Sequence, residues 1–195
     1  MNKLNYLTII GLLVVAFVGT TKSYAQAFEG LDDVPHDISY YRETRVTPPL
    51  VKVLYGRPSR ENQEVFGNLV PYGEIWRAGY NEATEVKFYK DVQFGTKTVA
   101  AGTYVLLAIP GEKEWEIILS SNLDVWGAFQ YNPTFDVARV TVPVRRSEPL
   151  ETLSISFKKK QQAYIEMIIG WDATRVKIPL KFSEESYLAH TDIDN

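Results

Sequence analysis

The polar side chains best suited to chemistry fall in one window. Residues 73–86, GEIWRAGYNEATEV, place Trp76, Arg77, Tyr80, Asn81 and Glu82 on the approach to an apolar strand, with Arg57 and Tyr72 upstream. An arginine fork pairs with a carboxylate through two parallel hydrogen bonds, so Arg57 or Arg77 with Glu82 can tie this long connection together as a clamp. Asn81 can satisfy turn amides in the same way. Left open to solvent, the same groups make a ligand pocket. A further use is acid-base chemistry, with Glu82 acting beside Arg77 or Tyr72 as in a carboxylate-based hydrolase or lyase.

A second candidate is aromatic. Trp126, Phe129 and Tyr131 occur in the glycine-containing stretch VWGAFQYN, where strand packing does not account for three large rings. Sugar rings stack on exposed aromatic faces and take hydrogen bonds from Asn, Arg and carboxylates. Together with Trp76 and Tyr80, this loop can serve as a saccharide platform, or it can close the open end of the fold. Trp115 alternates with Ile117 and reads as core. Trp171, between Gly170 and Asp172, reads as a hairpin turn.

Other chemistries lack their residues. A zinc site needs three or four His, Cys or carboxylate ligands, whereas the chain has no cysteine and two histidines, His36 and His190. Neither lies near a second candidate ligand in an expected strand, and no calcium-loop spacing occurs. Nucleotide-binding glycine loops, the G-x-S-x-G elbow and the C-x-x-C pair are absent. No metal and no cofactor are therefore expected. The formal charge of -3 argues against nucleic acid as a partner; the one basic run, Lys158-Lys159-Lys160, reads as a solvated hairpin tip.

Five stretches, GRPS, VFGNLVPYGEIWRAGYNEATEVKF, AGTYVLLAIPGEKEWEIIL, WGAFQYN and DVARVTVPV, give the chain a close resemblance to a bacterial family of secreted proteins, the domain of unknown function numbered 2911. The resemblance runs over residues 51–144 and more loosely to Lys181. It implies location and architecture, and no reaction. Two departures bear on ligand chemistry. Glu61-Asn62-Gln63 stands where the family pattern is basic, which weakens an anion grip, and Tyr80 stands where the pattern has alanine, which adds an aromatic surface beside Trp76.

Short alternating segments must position these residues. Val51, Val53 and Tyr55 share one face, as do Trp115, Ile117 and Leu119, whereas residues 104–109 are apolar on both faces and mark a central strand. Val140, Val142 and Val144, then Leu153, Ile155 and Phe157, then 164–169 and Val176, Ile178 and Leu180 continue the rule. Turn chemistry separates these runs. The expectation is a single all-β domain over 50–182, an antiparallel β-sandwich or jelly-roll-like fold of about nine or ten strands. One brief helix is expected at 59–66, with a polar leader over 28–49 and a short tail over 183–195.

The apolar run over 7–18 follows Lys3 and leads to Ala25-Gln26-Ala27. That pattern is a secretory signal peptide with an A-x-A site; a membrane anchor is the competing reading, but a spanning helix needs about 20 apolar residues. The expected protein is periplasmic or secreted, with no membrane span after cleavage. Three functions are compatible: a binding or accessory module for a glycan, peptide or cell-envelope ligand; a carboxylate-based hydrolase or lyase; or a structural or assembly protein of the cell envelope. Mass spectrometry of the protein exported from a bacterial host is expected to give Phe28 or Gln26 as the first residue, and an intact Met1 terminus would refute cleavage.

Overall fold

The computed structural model describes residues 34–183. The expected signal peptide, the start of the leader, His190 and the tail from 184 onward lie outside them. The described chain is all-β. Its nine strands are β1 (His36–Tyr41), β2 (Val51–Gly56), β3 (Glu85–Phe88), β4 (Val92–Phe94), β5 (Lys97–Val99), β6 (Gly102–Pro110), β7 (Glu114–Ser120), β8 (Asp136–Gln161) and β9 (Tyr164–Phe182), with one 3-10 turn at Pro133–Phe135.

All pairings are antiparallel, in the order β1-β2-β3-β6-β7-β8-β9-β4-β5, and the sheet does not close into a barrel. Strand β8 joins its two halves. Residues 136–143 pair with β7, and from Val144 onward the same strand pairs with β9. The inward-facing alternating residues of both halves meet in one core. Val51, Val53, Trp115, Ile117 and Leu119 come from the first half, and Ile165, Met167, Ile169, Ile178 and Leu180 from the second. This shared core is what makes the two halves a sandwich.

The continuous apolar run of β6 has its reason here. Leu106 and Ala108 face the main core, while Val105 and Leu107 belong to a second cluster with Ala83 and Ile118 on the other face. Ile75, Val125 and Tyr131 cover that cluster. The polar window and the aromatic loop therefore meet on the outer face of β6.

Three expectations are corrected. No helix forms at 59–66: Glu61 and Asn62 take positive φ values of 49° and 62°, incompatible with a right-handed helix, and the segment instead runs beside β8. Trp171 is not in a turn, because β9 continues through it as one strand; Asp172, at φ 46°, marks an irregularity in the β8 pairing. Part of the polar leader is strand β1, paired with β2 from His36↔Gly56 to Tyr41↔Val51. As an edge strand with no fully buried residue, β1 carries no apolar alternation to reveal it.

Gly56 closes β2 against the polar window. A Cβ added there would lie 2.3 Å from the Tyr80 carbonyl oxygen, a backbone atom that cannot rotate away. The substitution Gly56→Ala is expected to destabilise the domain by about 1–3 kcal/mol, the usual cost of overpacking, measurable as a lower urea midpoint.

Candidate functional site

The window begins as an extension of the sheet. The Trp76 amide donates to the Ala108 carbonyl at 2.7 Å and the Ala108 amide donates back at 2.8 Å, so Trp76 continues the β3 side of β6. Thr84 returns the chain to the same edge, its carbonyl accepting from the Leu106 amide at 2.8 Å. Between them the chain loops out and is pinned by its own groups. The Trp76 indole donates to Gly79 O, the Thr84 hydroxyl to Ala78 O, and the Arg77 guanidinium to Asn81 O at 2.7 Å.

The expected ion pair with Glu82 does not form. The Arg77 guanidinium lies 5.7 Å from the Phe129 ring centre, in a cation-π geometry, and against Gly127. Burial lowers its pKa from the ordinary arginine value. Arg57 donates to the Thr152 hydroxyl and faces Asp37 at 3.5 Å. The clamp therefore exists, built on a carbonyl and an aromatic ring in place of the Glu82 carboxylate. A loop carbonyl satisfies an arginine donor, and Glu82 is exposed, with its backbone bridged to Trp126.

The candidate residues are divided among several surroundings. Trp76, Arg77 and Tyr80 line a cleft of about 340 Å³ together with Pro58, Ser59, Glu61, Gln63 and Trp171. Trp76 is 8% exposed and forms its floor, stacked on Trp171 with ring centres 6.3 Å apart and planes at 22°. Tyr80, 47% exposed, stands at the rim. The side chains of Glu61, Gln63 and Tyr80 make no hydrogen bond or ion pair to another described residue.

A smaller cavity of about 150 Å³ lies on the other side of the loop, lined by Glu82, Glu85, Asp124 and the half-exposed Trp126. Burial raises the Glu85 carboxyl above its ordinary range, and the Asp124 and Glu82 charges add to this while Lys52 opposes it. Among the described residues, no group of three or more His, Cys, Asp or Glu is placed to hold a metal.

The remaining candidates join neither cavity. Tyr72 packs its ring beside Gly67. Tyr131 donates to Asp136 at 2.8 Å and accepts from Arg139, itself paired with Glu116; burial and the Asp136 contact raise the pKa of its phenol. These are supports for the loop on β6. Sequence reasoning missed Trp171 as a floor residue because it read a turn there. It named Glu61 and Gln63 only as lost positive charge, whereas both line the larger cleft.

Residues 40–180 match the model of a family described as Protein of unknown function (DUF2911), and the chain belongs to that family. No curated protein and no solved structure matches it. Among the described residues no helix is long and apolar enough to cross a membrane.

The carboxylate group makes a direct prediction. In a carbon-detected NMR titration, Glu85 is expected to protonate at higher pH than a solvated glutamate. Glu82→Gln or Asp124→Asn should each move its midpoint downward by removing a like charge; an unmoved midpoint in both would show that the charges do not couple.

Proposed function

We propose that this family member is an exported binding module whose ligand is a neutral, ring-bearing molecule of the saccharide class, held in the cleft between residues 58–63 and Tyr80. The single observation carrying this reading is the combination of an aromatic floor with unpartnered polar side chains at the rim. Trp76 and Trp171 supply the floor and Tyr80 the exposed ring. Gln63 offers an amide that both donates and accepts, Glu61 an acceptor and Tyr80 a hydroxyl. A pyranose presents this same division, with apolar C–H faces and equatorial hydroxyls. The volume lies at the lower end of the range for small-molecule sites, roughly 300–1,000 Å³. Glu61 and Gln63 bring no positive charge, which disfavours a phosphate or sulfate. The A-x-A signal pattern supports export to the periplasm or exterior.

A carboxylate-based hydrolase or lyase is the second reading, and the raised Glu85 carboxyl beside Glu82, Asp124 and Trp126 is what favours it. A carboxyl that holds its proton more tightly than an ordinary glutamate, set beside other carboxyl groups, is an arrangement that general acid-base catalysis uses. In this version Glu85 is the acid, a role that the sequence reading gave to Glu82.

Stacked Trp76 and Trp171 make the cleft its own reporter. Titration with a panel of neutral oligosaccharides is expected to change tryptophan emission. Tyr80→Ala should weaken binding roughly threefold to tenfold, from the ~0.5–1.5 kcal/mol of an aromatic contact, while Trp126→Ala leaves it unchanged. Binding lost only in Trp126→Ala would move the ligand to the smaller cavity, and turnover abolished by Glu85→Gln would establish the second reading.

A further inference from the structure

We infer that Glu151 is a positioning residue of the cleft, the group whose side chain anchors Ser59 and Glu61 of the 58–63 wall and whose main-chain oxygen holds the Trp171 floor, and that neutralising its carboxylate loosens the wall. The inference rests on the cleft reading for its functional meaning and on contacts alone for its geometry. Glu151 lies on β8, outside the polar window, and does not itself line the cavity.

Its side chain accepts from the wall three times. Oε1 takes the Ser59 hydroxyl at 2.7 Å and the Glu61 amide at 2.9 Å, and Oε2 takes Arg60 Nε at 3.3 Å. Its main-chain oxygen takes the Arg60 amide at 2.9 Å and the Trp171 indole at 3.2 Å. The wall needs such a latch. Glu61 and Asn62 both sit in the left-handed region, unfavourable for side chains larger than glycine, and the segment has no strand or helix of its own. Its other ties are the Ser59↔Thr152 bridge, the Leu153 amide on the Pro58 carbonyl and the Arg60–Asp172 ion pair; none reaches Glu61, whose amide otherwise meets only the Ser59 hydroxyl at 3.4 Å, itself held by Glu151.

The charged group that meets this carboxylate is Arg60, and its second partner limits the effect to the wall. Arg60 also pairs with Asp172 on β9, while the nearby Arg57 is engaged by Thr152 and Asp37 and makes no contact with Glu151. Loss of the Glu151 charge therefore leaves Arg60 anchored to Asp172 and the Ser59 backbone bridged to Thr152, and weakens the hold on the Ser59 hydroxyl and the Glu61 amide. The Ser59 hydroxyl above all, then the Glu61 amide and Arg60, hold the carboxyl below its ordinary range. A depressed carboxylate contributes its stabilisation above the ordinary glutamate range and loses it as pH falls through the depressed value. The wall is thus tight at neutral pH and loosens in acid.

Amide hydrogen exchange on the full mature protein tests this without a ligand. At neutral pH the Glu61 amide should exchange roughly threefold to tenfold faster in Glu151→Ala, the scale of one typical net hydrogen bond lost at a solvent-exposed acceptor, with the β7 amides unchanged. Glu151→Gln should fall between, since its Oε1 still accepts from Ser59 and Glu61 while its NH2 group opposes Arg60. Corrected for intrinsic rates, wild-type protection at Glu61 should decline on acidification and that of both variants should stay flat. Wild-type protection in Glu151→Ala, or an equal loss of protection in β7, overturns the positioning role. Cello- and malto-oligosaccharide titrations separate the two ideas: faster exchange at Glu61 with no oligosaccharide bound sinks the cleft reading and upholds Glu151.

Discussion

Four rings from four separate segments, Phe66, Trp76, Trp115 and Trp171, meet at one point in the core, and the placement of the cleft follows from that meeting. Trp76 packs edge-on against Phe66 and Trp115, with centres 5.7 and 5.8 Å away, and stacks on Trp171. Trp115 belongs to the first half of the sheet and Trp171 to the second. The indole of Trp76 is therefore a wedge between halves that β8 joins covalently. Aromatic pairs of this geometry add to area burial, and rings of this size tolerate little displacement in a close-packed core.

Once Trp76 is fixed, the loop after it has few freedoms. Its two backbone hydrogen bonds to Ala108 make it part of the sheet, and Thr84 must return to Leu106 on the same strand. The seven residues between must fold over themselves, which they do with Ala78 and Asn81 at positive φ, with Gly56 admitting the Tyr80 backbone and Gly79 admitting the Thr84 hydroxyl. Arg77 and Tyr80 both border the larger cleft, yet their side chains end in different surroundings. One side chain turns to Phe129, and the other stands at the rim of the larger cleft.

Protein stability and ligand chemistry are separable in this arrangement. The residues that hold the loop, Trp76, Arg77, Thr84 and Gly79, are buried or engaged. Those left with spare hydrogen-bonding capacity, Glu61, Gln63 and Tyr80, surround a cavity that the buried ones floor. Latches such as Glu151 sit further out, on a strand of the opposite half, where an exposed carboxylate can gather donors from a wall with no regular structure.

The sequence by itself determined the all-β class, the alternating faces of β2 and β7, the two-sided burial of β6 and the core place of Trp115, because each follows from period-2 spacing of apolar residues in a single segment. It also marked the window at 73–86 and the unusual loop at 126–131, since polar and aromatic residues gathered where neither strand pattern nor turn chemistry requires them. It could not decide which arginine meets which acceptor. Arg57 finds Thr152 and Arg77 finds Asn81 O and Phe129, and such choices depend on distances between segments far apart in the chain. Nor could it show that β8 and β9 run unbroken through Pro143 and Trp171, because bends and register shifts interrupt the alternation without ending the strand. The convergence of Ser59, Glu61 and Gln63 with Trp171 and Glu151 was decided by tertiary structure alone: their sequence separation of about a hundred residues is closed by the pairing of the 58–60 segment with β8, and no local signal encodes that pairing.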